Sequence, residues 1–216
     1  MSSSEEARLG YLVEGLEKLR TASILFIVST LLAGVGSILI LPALFSSAMM
    51  IKGVATAVAT ATTIFVLIII AAIIALIALF AFLIPSFSKL RDYDESAFGI
   101  PHKLVKIGYV IGFILLILGP LIMISAIFAK SEGLLFGGIA LLIIAGILLL
   151  IGQIGVIVGM FRLNDRLKET LFLVAGILFI VGIFISLASF IAWILVLIAA
   201  GSAIDKLRAK SVTPTG

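Results

Sequence analysis

No charged side chain occurs between Thr170 and Ile204, and charged residues stand on both sides of this stretch. Apolar runs of this length are typical of segments that enter a lipid bilayer. As one straight helix the stretch is about 50 Å long, well beyond the ~30 Å thickness of the hydrocarbon core. As two antiparallel helices it gives each helix about 24–26 Å, which is slightly short. The number of times that this stretch crosses the membrane therefore decides the predicted topology.

The whole chain has the composition of a membrane protein. Its 216 residues are 63% hydrophobic and 12% charged, whereas a soluble domain is about 45–50% hydrophobic and about 25% charged. The apolar runs are continuous and do not alternate with polar residues, which favours helices over a β-barrel. We therefore predict an all-α, polytopic transmembrane helical bundle that is surrounded by the lipid bilayer. The absence of cysteine excludes disulfides and thiolate metal sites.

Four more apolar runs precede this stretch, at about residues 21–41, 53–84, 104–128 and 134–161. Residues 86–106 are predicted to form the longest polar loop. Residues 1–20 predict an amphipathic helix, because their leucines recur at helical spacing. This helix either lies on the membrane surface, or it extends the first span or packs on the cytoplasmic loops. We divide the chain into this helix, a transmembrane domain over residues 21–204 and a polar cytoplasmic tail over residues 205–216.

Lysine and arginine residues alternate in number from one connection to the next. The amino-terminal segment has three of them, and the connections that follow have one, four, one and three. Because cytoplasmic loops are enriched in these residues, the pattern places the amino terminus in the cytoplasm, at the plasma membrane. The tail also carries three, so we expect it on the same side. Both ends of the chain lie on the same side only if it crosses the membrane an even number of times between Thr170 and Ile204.

An internal repeat supports the even number. Three segments start with a basic residue and a leucine and then enter an apolar run, at Lys18, Lys103 and Arg166, and on alignment Gly34, Gly119 and Gly182 coincide. The repeat predicts six spans arranged as three hairpins in series. We place the turn of the last hairpin near Ser186–Ser189, where hydroxyls can satisfy backbone groups. The alternative is five spans with a long last helix.

Beyond the first turn of each run, the predicted spans contain no Asp, Glu, Lys, Arg or His, the groups on which proton relays and ion-coupled transport usually depend. Gln153 is the one amide inside a span. It either contacts a ligand or bonds to a neighbouring helix, and we favour the second interpretation. Thr56, Thr60 and Thr63 share one helix face. They either line a hydrated groove or bond to carbonyls of their own helix.

Small residues mark faces of the third and fourth spans. Gly108 and Gly112 form a G-x-x-x-G pair, and so do Gly155 and Gly159. In the fourth span, small residues also recur every seven positions on one face, at Gly138, Ala145, Gly152 and Gly159. In lipid, close backbone approach at small residues is what joins helices. We favour packing within one chain over a seam between two copies.

The remaining chemistry-bearing residues lie in the predicted loop. Asp92, Asp94 and Glu95 are weak candidates for holding Mg²⁺, but basic neighbours neutralise them, so we predict no metal ion and no cofactor. His102 is the sole histidine and is predicted to be solvated. No nucleotide-binding, nucleophile-elbow or zinc-protease motif occurs, and we expect no enzyme activity.

Two stretches carry a family resemblance: EGLEKLRTASILFIVSTLLAGVG and LVAGILFIVGIFISLASFIAWILVLIA. They resemble archaeal multi-pass membrane proteins of unknown function, most of all the domain of unknown function family 973, with family 996 as the alternative resemblance. The resemblance implies an archaeal plasma-membrane protein and carries no catalytic residue.

Two functions stay open at this point. The first is a non-catalytic integral membrane protein, a structural, accessory or assembly subunit. The alternative is a transporter or channel-like protein for a small neutral or lipid-like substrate. We expect no nucleic-acid partner. A second copy of the chain and a membrane-complex partner are both compatible with the glycine-rich faces.

Overall fold

The computed structural model of the protein describes residues 3–48 and 54–212, and these form helices joined by short turns, with no strand among them. The helices are α1 (Ser3–Ala48), α2 (Val54–Ile77), α3 (Ile84–Tyr93), α4 (Glu95–Ala129), α5 (Glu132–Leu167), α6 (Thr170–Gly182) and α7 (Ser186–Val212). A π-helical segment, Ala78–Leu83, joins α2 to α3 without a break. The architecture confirms the predicted all-α helical bundle.

Three antiparallel hairpins organise this bundle, α1 with α2, α4 with α5, and α6 with α7. Five stretches of helix are long and apolar enough to cross a membrane: Glu5–Gly36, Thr62–Tyr93, Glu95–Ala129, Glu132–Leu167 and Ser186–Ala209. The chain is therefore a multi-pass membrane protein by the length and composition of its helices.

The first helix, α1, continues through residue 20 without interruption. Its amino-terminal part buries Leu12, Leu16 and Leu19, and the Ser86 hydroxyl donates a hydrogen bond to the carbonyl of Gly15 at 2.8 Å. Of the two arrangements considered for residues 1–20, the described part of this segment therefore extends the first span and packs on α3.

The uncharged stretch folds back on itself, so the alternative of one long last helix is wrong. The chain turns at residues 183–185, and the predicted turn near Ser186–Ser189 is also wrong, because Ser186 already begins α7. Gly182 sets the position, since a Cβ on it would lie 2.9 Å from the backbone nitrogen of Ser189. The N–H groups of Phe184 and Ile185 both donate to Val181 at 3.0 Å. Backbone bonds thus close the turn without the hydroxyls.

The two helices of this last hairpin differ in length. With 13 residues, α6 is about 20 Å long, which is less than the ~30 Å of a hydrocarbon core. The fifth predicted span, the first arm of the last hairpin, is thus present as a helix but falls short of the length of a crossing. Its partner α7 reaches that length.

The predicted polar loop over residues 86–106 is wrong, because only Asp94 within it lies outside a helix. Asp94 has an extended backbone and accepts a hydrogen bond from the Ala97 N–H at 3.1 Å. An aspartate in this position caps a helix start, and Glu95 behind it complements the positive end of the helix dipole. Helix α4 therefore begins at Glu95 and runs through Pro101.

The core combines aliphatic and aromatic side chains where α1, α3, α4, α5, α6 and α7 meet. Phe87, Phe98, Phe172 and Phe179 are fully buried there. Trp193 joins them, stacked on Phe26 at 4.4 Å and edge-on to Phe179 at 4.8 Å between ring centroids. Toward the α4–α5 turn the apolar side chains are exposed instead, as expected for surfaces that face lipid.

Candidate functional site

Ion pairs concentrate at one end of the bundle, which we call the charged end. Its members come from the starts of α1 and α4, the ends of α3, α5 and α7, and the α5–α6 connection: Arg8, Glu14, Glu17, Lys89, Asp94, Arg166, Glu169, Lys206 and Arg208. This end collects every predicted cytoplasmic segment that the structure describes.

Four ion pairs of the charged end form a closed circuit of helices. Lys89 of α3 pairs with Glu14 of α1 at 2.8 Å, and Asp94, which joins α3 to α4, pairs with Arg166 of α5 at 2.6 Å. The circuit then passes from Glu169 to Lys206 of α7, and from Arg208 of α7 to Glu17 of α1 at 2.6 Å. Because most of these side chains are at least a third exposed, solvent screens the attraction within each pair and its contribution to stability is small. The role of these pairs is to hold the ends of the helices in place relative to one another.

A cavity of about 360 Å³ lies inside this circuit. Leu9, Leu12, Tyr93, Arg166, Glu169 and Lys206 are among its lining residues. Arg166 and Lys206 are each already paired with a carboxylate, so the cavity presents little net charge to a ligand. Its walls are suited to apolar contacts at the membrane surface.

Two of the three acidic candidates, Asp92 and Asp94, bind different partners. Asp92 pairs with its neighbour Arg91 at 2.8 Å, and Asp94 caps α4 and pairs with Arg166. Burial by itself raises the pKa of Asp94, but hydrogen bonds from Ser96 and Ala97 and the charge of Arg166 outweigh it, so that the pKa lies below its usual range. Among the described residues, no group of three or more acidic or histidine side chains is arranged to hold a metal ion.

His102 does not lie in a solvated loop, so that prediction is wrong. It belongs to α4 and is only 6% exposed. Its Nδ1 atom is buried without a hydrogen-bond partner among the described residues. The other buried polar side chains in the described part of the chain, Ser23, Ser29 and Ser86, all donate hydrogen bonds to backbone carbonyls.

The intramembrane amide is bonded to a neighbouring helix. The Tyr109 hydroxyl of α4 donates to Oε1 of Gln153 on α5 at 2.9 Å. This is the second of the two interpretations of Gln153, although a cavity of about 440 Å³ also reaches it. Of the threonine face, Thr63 is exposed, while the side chains of Thr56 and Thr60 lie outside the described ones.

The glycines of α4 and α5 lie where these helices approach most closely. A Cβ on Gly108 would lie 2.6 Å from the backbone oxygen of Leu148, and one on Gly155 would lie 2.8 Å from the backbone nitrogen of Val105. Gly112, Gly138 and Gly152 face the partner helix in the same way, and Gly159 faces Phe87 of α3. All six positions are thus in contacts within one chain.

A family model described as "Protein of unknown function (DUF973)" matches residues 13–215 of the chain. The chain belongs to the DUF973 family. It matches no curated protein and no solved structure.

The family match covers most of α1 and every other helix of this DUF973 protein, including the charged end from Glu14 to Arg208. Sequence reasoning selected Gln153 but missed its partner Tyr109, because the two residues are 44 positions apart. It also missed the ion-pair circuit of this DUF973 chain. The signal for Asp94 was present, since an aspartate before Glu-Ser-Ala is typical of a helix start.

Proposed function

We propose that this DUF973 protein is a non-catalytic integral membrane protein that acts as a structural, accessory or assembly subunit. The observation that carries the proposal is the closed circuit of ion pairs at the charged end. Charges that compensate one another organise the fold and leave few groups for chemistry on a substrate. The bonded serines and the Tyr109–Gln153 pair support the same conclusion.

We place the charged end and both termini on the cytoplasmic side of the plasma membrane. The excess of lysine and arginine in the segments that meet there supports this orientation. In this arrangement the charged end is the surface offered to a cytoplasmic or membrane partner, and nucleic acid is not a partner. The apolar faces remain with the lipid bilayer or with a second copy of the chain.

Site-directed crosslinking in native membranes tests the accessory role. A crosslinker on Lys18 or Lys168, which flank the circuit, should yield one defined product with a membrane partner or a second copy. Reversing one charge of the circuit, Glu17→Arg, should lower the yield of that product. The swapped variant Glu17→Arg/Arg208→Glu should restore the yield, because it rebuilds the pair.

Two outcomes oppose the accessory role. One is a protein that forms no defined product in native membranes. The other is a protein that purifies alone and moves a solute across liposomes, which would replace the accessory role with transport.

One observation favours the alternative of a transporter or channel-like protein. The cavity of about 440 Å³ lies between the α4–α5 hairpin and the α6–α7 turn and is lined by Tyr109, Gln153, Ser189 and Trp193. It offers an amide and two hydroxyls beside an aromatic ring, which suits a small neutral substrate.

Reconstitution into liposomes separates the two functions. If the protein conducts a neutral solute, Gln153→Leu should abolish the flux, and Ser125→Ala, at an exposed hydroxyl that bonds its own helix, should leave it unchanged. That pattern would establish transport. The same loss in both variants, or no flux at all, would count against it.

A further inference from the structure

A third cavity lies on the outer face of α4, where the polar first turns of this helix meet its long apolar part. Its volume is about 630 Å³. Its lining includes Arg91, His102, Lys103, Lys106, Ile107 and Val110. Polar and apolar walls thus meet at the height where α4 enters the predicted hydrocarbon.

The polar part of this cavity is positively charged. Three cations, Arg91, Lys103 and Lys106, stand against one carboxylate, Glu95. Arg91 is paired with Asp92, but neither lysine lies within salt-bridge distance of an acid among the residues that the structure describes. Both lysines are exposed. They offer uncompensated charge to an anion at this position.

The wall behind the lysines contains the unpartnered imidazole. His102 is more than nine-tenths buried and its Nδ1 atom has no hydrogen-bond partner in the described chain. A buried polar atom without a partner destabilises the fold, so such an atom next to a cavity points to a ligand that satisfies it. In its neutral form with the proton on Nδ1, the ring donates one hydrogen bond to an oxygen of that ligand.

The apolar part selects the kind of anion. Ile107, Val110 and Ile111 follow Lys106 along the cavity wall and belong to the run of α4 that has no further charge before its end. Lysines at the end of an apolar helix reach toward lipid headgroups. Arginine and lysine together bind phosphate oxygens with charge-assisted hydrogen bonds.

We propose that this cavity binds the phosphate group of an anionic membrane lipid. Lys103, Lys106 and Arg91 contact the phosphate oxygens, and Nδ1 of His102 donates a hydrogen bond to one of them. The lipid tail lies against Ile107, Val110 and Ile111. The site is separate from the circuit of the charged end and does not depend on the accessory or the transport function.

Native mass spectrometry of the full-length, delipidated protein with phosphatidylglycerol or phosphatidylcholine tests the proposal. Phosphatidylglycerol should bind tightly to the unaltered chain, and Lys103→Gln/Lys106→Gln should weaken it about tenfold or more, as loss of two charge-assisted contacts predicts. The matched control Arg162→Gln/Lys168→Gln removes two exposed charges near the charged end, outside the cavity, and should change affinity less than about twofold. Equal weakening in both variants would overturn the site in favour of diffuse attraction.

A second variant tests His102 without changing the net charge of the cavity wall. His102→Phe removes the unpartnered nitrogen, so the lipid-free protein should melt at the same or a higher temperature. Its affinity for phosphatidylglycerol should nevertheless fall several-fold, because a hydrogen bond to a charged group is lost. Unchanged affinity would overturn the role of the imidazole.

Competition distinguishes a lipid phosphate from a soluble one. Inorganic phosphate and glycerol phosphate should displace the lipid only at concentrations at least about a hundredfold higher, because they lack the contact with the apolar wall. Displacement at concentrations comparable to the lipid would overturn the lipid assignment and make the site one for a soluble phosphate. Equal binding of phosphatidylcholine would overturn the selection for an anionic headgroup.

Discussion

The α4–α5 and α6–α7 hairpins are both antiparallel helix pairs, but their turns differ in chemistry. In the first, Lys130 has the left-handed backbone conformation, and the Ser131 hydroxyl accepts a bond from Leu134 N–H. The second consists of Ile183, Phe184 and Ile185, of which Phe184 is 86% exposed. A polar turn suits water and headgroups, whereas an apolar turn that satisfies its own backbone suits hydrocarbon.

The two hairpins also differ in reach. Both arms of the first exceed the thickness of a hydrocarbon core, and in the second only α7 does. The comparison shows that an uncharged run bracketed by charges does not by itself specify a crossing. The length of each arm and the polarity of the turn decide whether the chain emerges on the far side.

Cysteine labelling of the two turns tests this difference directly and has the largest expected effect. The chain has no cysteine of its own, so Ser131→Cys and Phe184→Cys can be labelled selectively. A membrane-impermeant maleimide outside intact cells should label the first almost completely and the second near background, because the apolar turn stays in hydrocarbon. Full labelling of Phe184→Cys from outside would mean that the last hairpin crosses the membrane twice.

Substitution of a glycine tests how closely α4 packs against α5. Gly108→Ala should destabilise the protein by about 1–3 kcal/mol, because its methyl group would overlap backbone atoms of α5 that cannot rotate away. Gly146→Ala is the matched control, since a Cβ there meets nothing within 4 Å. That control should be neutral or stabilise by up to about 1 kcal/mol. Thermal unfolding in detergent measures both, and similar values for the two variants would contradict the close seam.

The corresponding change in α6–α7 should have a smaller effect. Gly182→Ala meets the side chain of Ser189, which can rotate, and its backbone nitrogen at 2.9 Å, which cannot. We expect a cost near the lower end of overpacking, about 1 kcal/mol. Gly201→Ala on α7 has open space and serves as the control in the same unfolding measurement. A stabilised Gly182→Ala would show that the turn is not set by this contact.

The smallest expected effect concerns the ion pair between Asp94 and Arg166 at the base of the α4–α5 hairpin. Asp94→Asn keeps the capping oxygen of α4 but loses the pairing with Arg166, and should cost about 0.2–1 kcal/mol at neutral pH. Because the pKa of Asp94 is lower in the folded protein, its stabilisation is present above the unfolded pKa of about 3.9 and is lost as the pH falls through the folded pKa. Unfolding curves of both proteins should therefore converge in acid. A difference that persists there would assign the effect to something other than the charge.

Sequence reasoning reached the helical bundle and the hairpins because hydropathy and charge act locally along the chain. It misplaced the last turn because serine hydroxyls were expected to satisfy the backbone, whereas the fit of Ser189 against Gly182 decides the position. It misread residues 86–106 because Gly99 and Pro101 were given more weight than the cap at Asp94. Long-range pairs such as Tyr109–Gln153 and Glu17–Arg208 depend on how separate helices pack, which no local pattern records.

The pair between Glu17 and Arg208 joins positions 191 residues apart. A chain made at about 5–20 residues per second therefore waits roughly 10–40 s after Glu17 is synthesised before its partner exists. During that interval Lys89 can already reach Glu14, so the first two hairpins can assemble while the circuit is still open. A chain that stops before α7 leaves Glu17 and Glu169 without their partners at the membrane surface. The last contact to form thus distinguishes a chain that contains α7 from one that stops before it.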